Sequence, residues 1–168
     1  MKELLNGLMM SLASILIITV LSLGIGKLHA KDVVMPQNTA LSGQQKELID
    51  LFFAAAKTGQ VDVVDEFLNH GFPVDIRNDA NYTALMMASY YGQQPVVSSL
   101  LKHGANRCLR DNRGHTALMG AIVKAEWTIA KQLRKEDCDK NADQSHELTV
   151  EEFARVFGQE EKLRELSK

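Results

Sequence analysis

Few residues in this chain have types and spacings that could do chemistry. The acidic stretch 139–153, DKNADQSHELTVEEF, resembles a calcium loop followed by its exit helix. Calcium asks for oxygen ligands in a loop of ~12 residues, glycine at the sharp turn and a bidentate glutamate at the end. Counted from Asp139, the turn place holds Gln144 and the end place Val150; counted from Asp137, they hold Ala142 and Leu148. Both registers fail twice, so no calcium site is expected. His70 and His103 each fall near the end of an expected helix, where a partly charged imidazole suits the helix dipole, and they read as structural. No HExxH, CxxC or His–carboxylate spacing occurs, so neither a metal nor a cofactor is expected. A nucleophile with its base and a glycine-rich phosphate loop are also missing, so the chain does not read as an enzyme.

What remains is chemistry of contact. The chain has three tyrosines, and Tyr82, Tyr90 and Tyr91 lie within ten positions of each other. Tyrosine and arginine anchor protein interfaces because they combine a large contact area with a polar tip. Trp127, in contrast, reads as a packing residue. With 19 basic and 21 acidic residues the net charge is −2, which argues against nucleic acid, since that affinity comes mostly from Lys and Arg neutralising phosphates.

The elements that position these residues begin after a hydrophobic leader. Leu8 to Ile25 carry no charge and sit between Lys2 and Lys27. Residues 1–30 therefore read as a bacterial export signal, with cleavage after Ala30 or Gly26, or as an uncleaved membrane anchor, since ~17–25 apolar residues span a bilayer. In either case the rest of the chain is expected beyond a membrane, in the periplasm. Residues 31–44, with Pro36 and Gly43, read as a linker.

An internal repeat organises the remainder of the chain, from about residue 45. NYTALMMASYYG (81–92) matches GHTALMGAIVKA (114–125), with Thr83 and Thr116 33 residues apart. The same step carries Ala88 to Ala121, Leu100 to Leu133, Gly92 back to Gly59, Gly104 back to Gly71, and Thr116 on to Thr149. Each unit encodes two helices. Val96, Val97, Leu100 and Leu101 make the apolar stripe of a second helix, which Gly104 ends in a left-handed conformation. One helix pair cannot bury both of its faces; stacked neighbours can.

The residues TALM-x-A-x-x-x-G (83–92), Val97, Leu100-Leu101 and His103-Gly104-Ala105-Asn106 resemble the ankyrin-repeat family. The resemblance implies an all-α solenoid of about four repeats, two full and two capping, at about 45–77, 78–110, 111–143 and 144–168. The first unit lacks TALM and is expected to start from a capping box at Ser42 and Gln45, with a long helix packing through Leu48, Phe52 and Ala55. In the last unit Leu163 and Leu166 should face the stack. TALM stands where the family usually has TPLH, and Met86 and Met119 are expected to fill the histidine's place by packing. Cys108 and Cys138 fall at nearby places in adjacent repeats. Packed helices lie ~10 Å apart, so the two thiols are expected to be free.

The resemblance also implies where a partner docks, namely on the concave face of turn tips and first helices. Carried over by position, that face holds Lys57, Arg77, Asp79, Tyr82, Tyr90, Tyr91, Arg110, Asn112, Arg113, His115 and Lys124, with Asp143 beyond them. The expected function is non-enzymatic protein binding by a monomer. Some exported bacterial members are associated with catalase and oxidative-stress defence, which makes a periplasmic enzyme such as catalase the expected partner. Two alternatives remain: an immunity protein that neutralises a toxin, and a scaffold held at the inner membrane.

Overall fold

The computed structural model describes residues 43–135, 138–139 and 148–166. The expected leader, most of the linker, Ser42, Asp137 and Asp143 lie outside the described residues. Among those described, eight helices and no strand are found: α1 (Gly43–Thr58), α2 (Val61–Asn69), α3 (Ala84–Tyr90), α4 (Gln94–Lys102), α5 (Ala117–Val123), α6 (Trp127–Leu133), α7 (Val150–Val156) and α8 (Glu160–Glu165). They form four successive pairs. The first helices pack in one row, α1 on α3, α3 on α5 and α5 on α7, and the second helices pack α2 on α4 and α4 on α6. The chain is an all-α repeat solenoid.

The threonines set where first helices start. Thr83, Thr116 and Thr149 are N-caps in extended conformation, and their hydroxyls accept from the amides of Met86 (3.3 Å), Met119 (3.3 Å) and Glu152 (3.2 Å). Each cap is worth about 1 kcal/mol. The return half of the box differs between repeats. Thr149 N–H donates to the Glu152 carboxylate at 2.9 Å, whereas Thr83 and Thr116 donate to the sulfurs of Met86 and Met119 at 3.5 Å. The methionines thus do more than pack: buried as they are, they offer a weak acceptor to an amide that would otherwise lose its partner.

First helices end in left-handed residues at Gly59, Gly92, Ala125 and Gly158, one period apart, and Gly104 ends α4 at φ +85° as expected. Ala125, at φ +57°, is the exception to glycine in that series, and its β-carbon costs about 1–2 kcal/mol there. Gly92 stands at φ +72°, a conformation that L side chains rarely adopt, and this, more than the movable Glu126 carboxylate beside it, is what favours glycine there. The histidines act as the sequence suggests. His70 Nδ1 lies 2.9 Å from the Glu66 carbonyl and His103 Nδ1 3.0 Å from that of Ser99, each closing a helix C-terminus.

The first end of the stack departs from the sequence pattern and the last follows it. On α1 the buried side chains are Ile49, Phe52, Phe53, Ala55 and Ala56, while Leu48 is 49% exposed. Leu48 therefore does not join the core: the helix turns its Ile49–Phe52–Phe53–Ala56 stripe inward, toward α2 and α3, and leaves Leu48 and Leu51 outside. In the last pair Phe153, Ala154 and Leu163 are buried and Leu166 is half-buried, as the repeat requires. Trp127 is half-buried against the core.

The thiols are not free. Cys108 and Cys138 form a disulfide, with their Cα atoms 5.0 Å apart. The spacing between helix axes was the wrong ruler, because neither cysteine is helical. One follows α4 and the other follows α6, and connecting segments approach more closely than the helices they join. Asp139, next to the bond, accepts from the guanidinium of Arg110 (3.2 Å) and from the Val150 amide (2.8 Å) at the start of α7.

Candidate functional site

The turns before α3 and α5 are each built by an Asx residue. Asn78 Oδ1 accepts from the amides of Ala80 and Tyr82, both at 3.0 Å. One period on, Asp111 Oδ1 accepts from those of Arg113 (2.8 Å) and His115 (2.9 Å). Asn81 and Gly114 supply the left-handed residue these turns need. The turns thereby fix Tyr82 and His115 at the mouth of the first-helix row.

Between them opens a groove of about 580 Å³. Met86, Met119 and Gly120 line it, with Tyr82, Tyr90 and Tyr91 toward the second repeat and His115, Phe153 and Phe157 toward the fourth. The rings touch in series. Tyr90 and Tyr91 meet edge to face at 5.2 Å, His115 stands edge-on to Phe153 at 5.2 Å, and Phe153 lies 4.7 Å from Phe157. Lys57 Nζ sits 4.9 Å over the Tyr91 ring and Lys124 Nζ 4.9 Å over that of Tyr90. Both tyrosines are exposed by two-fifths of their surface.

The residues expected on the concave face divide into two groups. Tyr82, Tyr90, Tyr91, Arg113 and His115 line the groove, and Lys57 and Lys124 flank its tyrosines. The others tie one turn to the next. Arg77 donates to the Arg110 carbonyl at 3.0 Å. Arg110 donates to the Gly114 and Leu148 carbonyls (2.5 and 3.2 Å) and pairs with Asp139. Asn112 accepts from Asn81 Nδ2 at 2.7 Å and donates to the Asp79 carbonyl at 3.5 Å. Asp79 itself is exposed.

Gly120, Phe153 and Phe157 are among the groove residues that the position-by-position reading missed, and for these three the repeat period carried the signal. One step from Met87 leads to Gly120 and a second to Phe153, while one step from Lys124 leads to Phe157. At this place in the first helices the second and fourth repeats carry large side chains and the third carries none. That vacancy is the hollow.

No reactive arrangement is assembled among the described residues. The Ser99 hydroxyl donates to the Asp65 carboxylate, a contact that links α4 to α2 in the row of second helices. His103 holds a backbone carbonyl with one ring nitrogen and faces Asn69 with the other (3.4 Å). No group of His, Cys, Asp and Glu among the described residues is arranged to hold a metal ion. No described helix is long and apolar enough to cross a membrane.

No curated protein matches the chain in sequence. A family model for ankyrin repeats (3 copies) matches residues 51–144, from within α1 to beyond α6. That match covers more than half of the chain and includes both Thr-Ala-Leu-Met helices, the glycine stops and the turns that frame the groove. Repeats of this kind are protein-interaction modules, generally without catalysis. The chain belongs to the ankyrin-repeat family.

Proposed function

We propose that this chain is exported to the periplasm, where it acts as a monomer and grips a segment of a partner protein in the groove beside Tyr90. The observation that carries the groove reading is Gly120. Glycine inside a helix costs about 1 kcal/mol relative to alanine. A β-carbon here would only make ordinary contacts, at 3.7 Å to Tyr90 Cβ, so packing does not demand the glycine. The hollow it leaves is what a partner would use.

Export draws support from two independent features. The uncharged run from Leu8 to Ile25 suits a leader, and the Cys108–Cys138 bond suits an oxidising compartment. The partner we favour is a periplasmic enzyme, catalase by family resemblance, in oxidative-stress defence. The length of the apolar run favours a second reading, in which the leader is retained and the repeats form a scaffold at the inner membrane.

Gly120→Met places in the third repeat the side chain that the second already carries at Met87, and should fill the groove without unfolding the stack. Wild type and variant, matched for helical circular dichroism, would be compared for catalase co-purification from periplasm and for peroxide survival. Loss of both in the variant is the expected result. Catalase retained at full yield would remove the groove from the reading. Protection against a toxin without any change in peroxide survival would transfer the function to an immunity protein. N-terminal sequencing of the exported protein distinguishes a cleaved leader from an anchor.

A further inference from the structure

The geometry points to an acidic occupant: an extended partner segment that carries carboxylates on either side of a bulky apolar residue. This rests on the groove reading above and adds the chemistry of what fills it.

The floor is apolar and adaptable. Met86 and Met119 line it beside Gly120, and thioether side chains re-pack around different shapes at little cost. A leucine- or phenylalanine-sized side chain fits such a hollow. The rim around it is rich in donors and positive charge. Lys57 and Lys124 approach from two different repeats, each steered over a tyrosine ring by the ring's negative face. Neither ammonium pairs with a carboxylate among the described residues, and Arg113 extends the cationic rim at the turn.

Acceptors border that rim too: the Glu126 carboxylate stands beside Gly92, though it pairs with neither lysine. Asp111 is buried and already accepts from the Arg113 and His115 amides, with His115 Nδ1 3.5 Å away. Asp79, at a turn tip, is exposed. Most of the acid of the second helices and of the last pair lies elsewhere, as Asp62, Glu66, Glu151, Glu161 and Glu165. What sets the two lysines apart is that each ammonium is held over a ring and has no carboxylate partner among the described residues. Carboxylates brought to the two lysines would complete charge pairs against ordered partners, and such pairs set register and rate of encounter.

The test is a selection from a display library of random dodecapeptides against the full chain in mild detergent. Recovered peptides should share an apolar residue flanked by Asp or Glu. Their affinity, read by fluorescence anisotropy, should fall about tenfold in Lys57→Gln with Lys124→Gln, since exposed charge pairs are individually modest. Lys57→Arg with Lys124→Arg should restore it. Binding should weaken as salt rises from about 0.05 to about 0.5 M, as the screening length shortens.

The two layers of the reading fail differently. Recovered peptides with a neutral or basic consensus that still lose binding to Gly120→Met would overturn the acidic occupant and keep the groove. Peptides that hold Gly120→Met at full strength would remove the groove, and the occupant with it. An empty selection overturns both. Heparin or phosphatidylserine vesicles binding as tightly as the best peptide would show a general polyanion surface, which also overturns the inference.

Discussion

At the first repeat Phe52 is fully buried among Phe67 and Phe72, with ring centroids 5.5 and 4.9 Å away, and no charge takes part. At the fourth repeat much of the holding is polar. The Cys108–Cys138 bond and the Arg110–Asp139 pair at 3.2 Å join the ends of the second and third repeats, Arg110 and Asp139 hold the Leu148 carbonyl and the Val150 amide at the start of α7, and the Arg134–Glu151 pair at 3.1 Å ties α7 to the third repeat. Both ends face the same problem, since a terminal repeat has a neighbour on one side alone. The first solves it with a longer helix and an aromatic cluster, whose strength scales with buried area. The fourth has short helices and substitutes covalent and charged ties. The two ends should therefore fail under different conditions: the first to truncation of a ring, the fourth to reductant and acid.

Breaking the aromatic end should cost most. Phe52→Ala removes a fully buried ring and should lower stability by about 3–5 kcal/mol, read as a fall in the urea midpoint. Breaking the covalent tie comes next. Cys108→Ser with Cys138→Ser opens a ring whose ends are 30 residues apart, worth about 3–4 kcal/mol by chain entropy. Hydrogen exchange should then rise first in α7 and α8 and leave α1 and α2 protected; uniform loss along the stack would erase the contrast between the ends.

Acid sharpens the comparison further. Hydrogen bonds from the Thr149 backbone and side chain hold the Glu152 carboxyl below the ordinary glutamate value of 4.5, and the Arg155 guanidinium does the same to Glu160. A carboxyl whose folded-state pKa is depressed stabilises the fold above its unfolded value, and that support is lost as pH falls through the folded one. The fourth repeat should fray below about pH 4.5, ahead of the first, when amide exchange is followed through the titration. Thr149→Val should remove the Glu152 share of that dependence and leave that of Glu160. The smallest effect is a gain. Ala125→Gly relieves a left-handed alanine against the added chain entropy of glycine, for a net of about 0.5–1 kcal/mol in the thermal midpoint.

The sequence made the repeat legible because its markers are local. A threonine before Ala-Leu-Met and a glycine after most helices act on their own turn, and the 33-residue step finds them. Tyr82, Tyr90, Tyr91 and the two lysines could be assigned to one face for the same reason. Leu48 could not, since two adjacent stripes on α1 are apolar and only packing against α2 and α3 selects one. Arg110 looked like a surface cation, and its burial depends on Asp139, which arrives from beyond the next helix pair. The disulfide was hidden for a related reason: its cysteines are 30 residues apart, off the repeat step, so the period pointed past the pairing.

The bond between Cys108 and Cys138 also has a mechanical meaning, because it encloses both helices of the third repeat. Tension drawn from either terminus would pass across the sulfurs and bypass α5 and α6. The enclosed chain would stay slack while its neighbours unravel, and a stretched molecule would fall short by about 100 Å of contour until a reductant cut the link. The segment that carries the vacancy at Gly120 is the one the protein has looped out of the line of force.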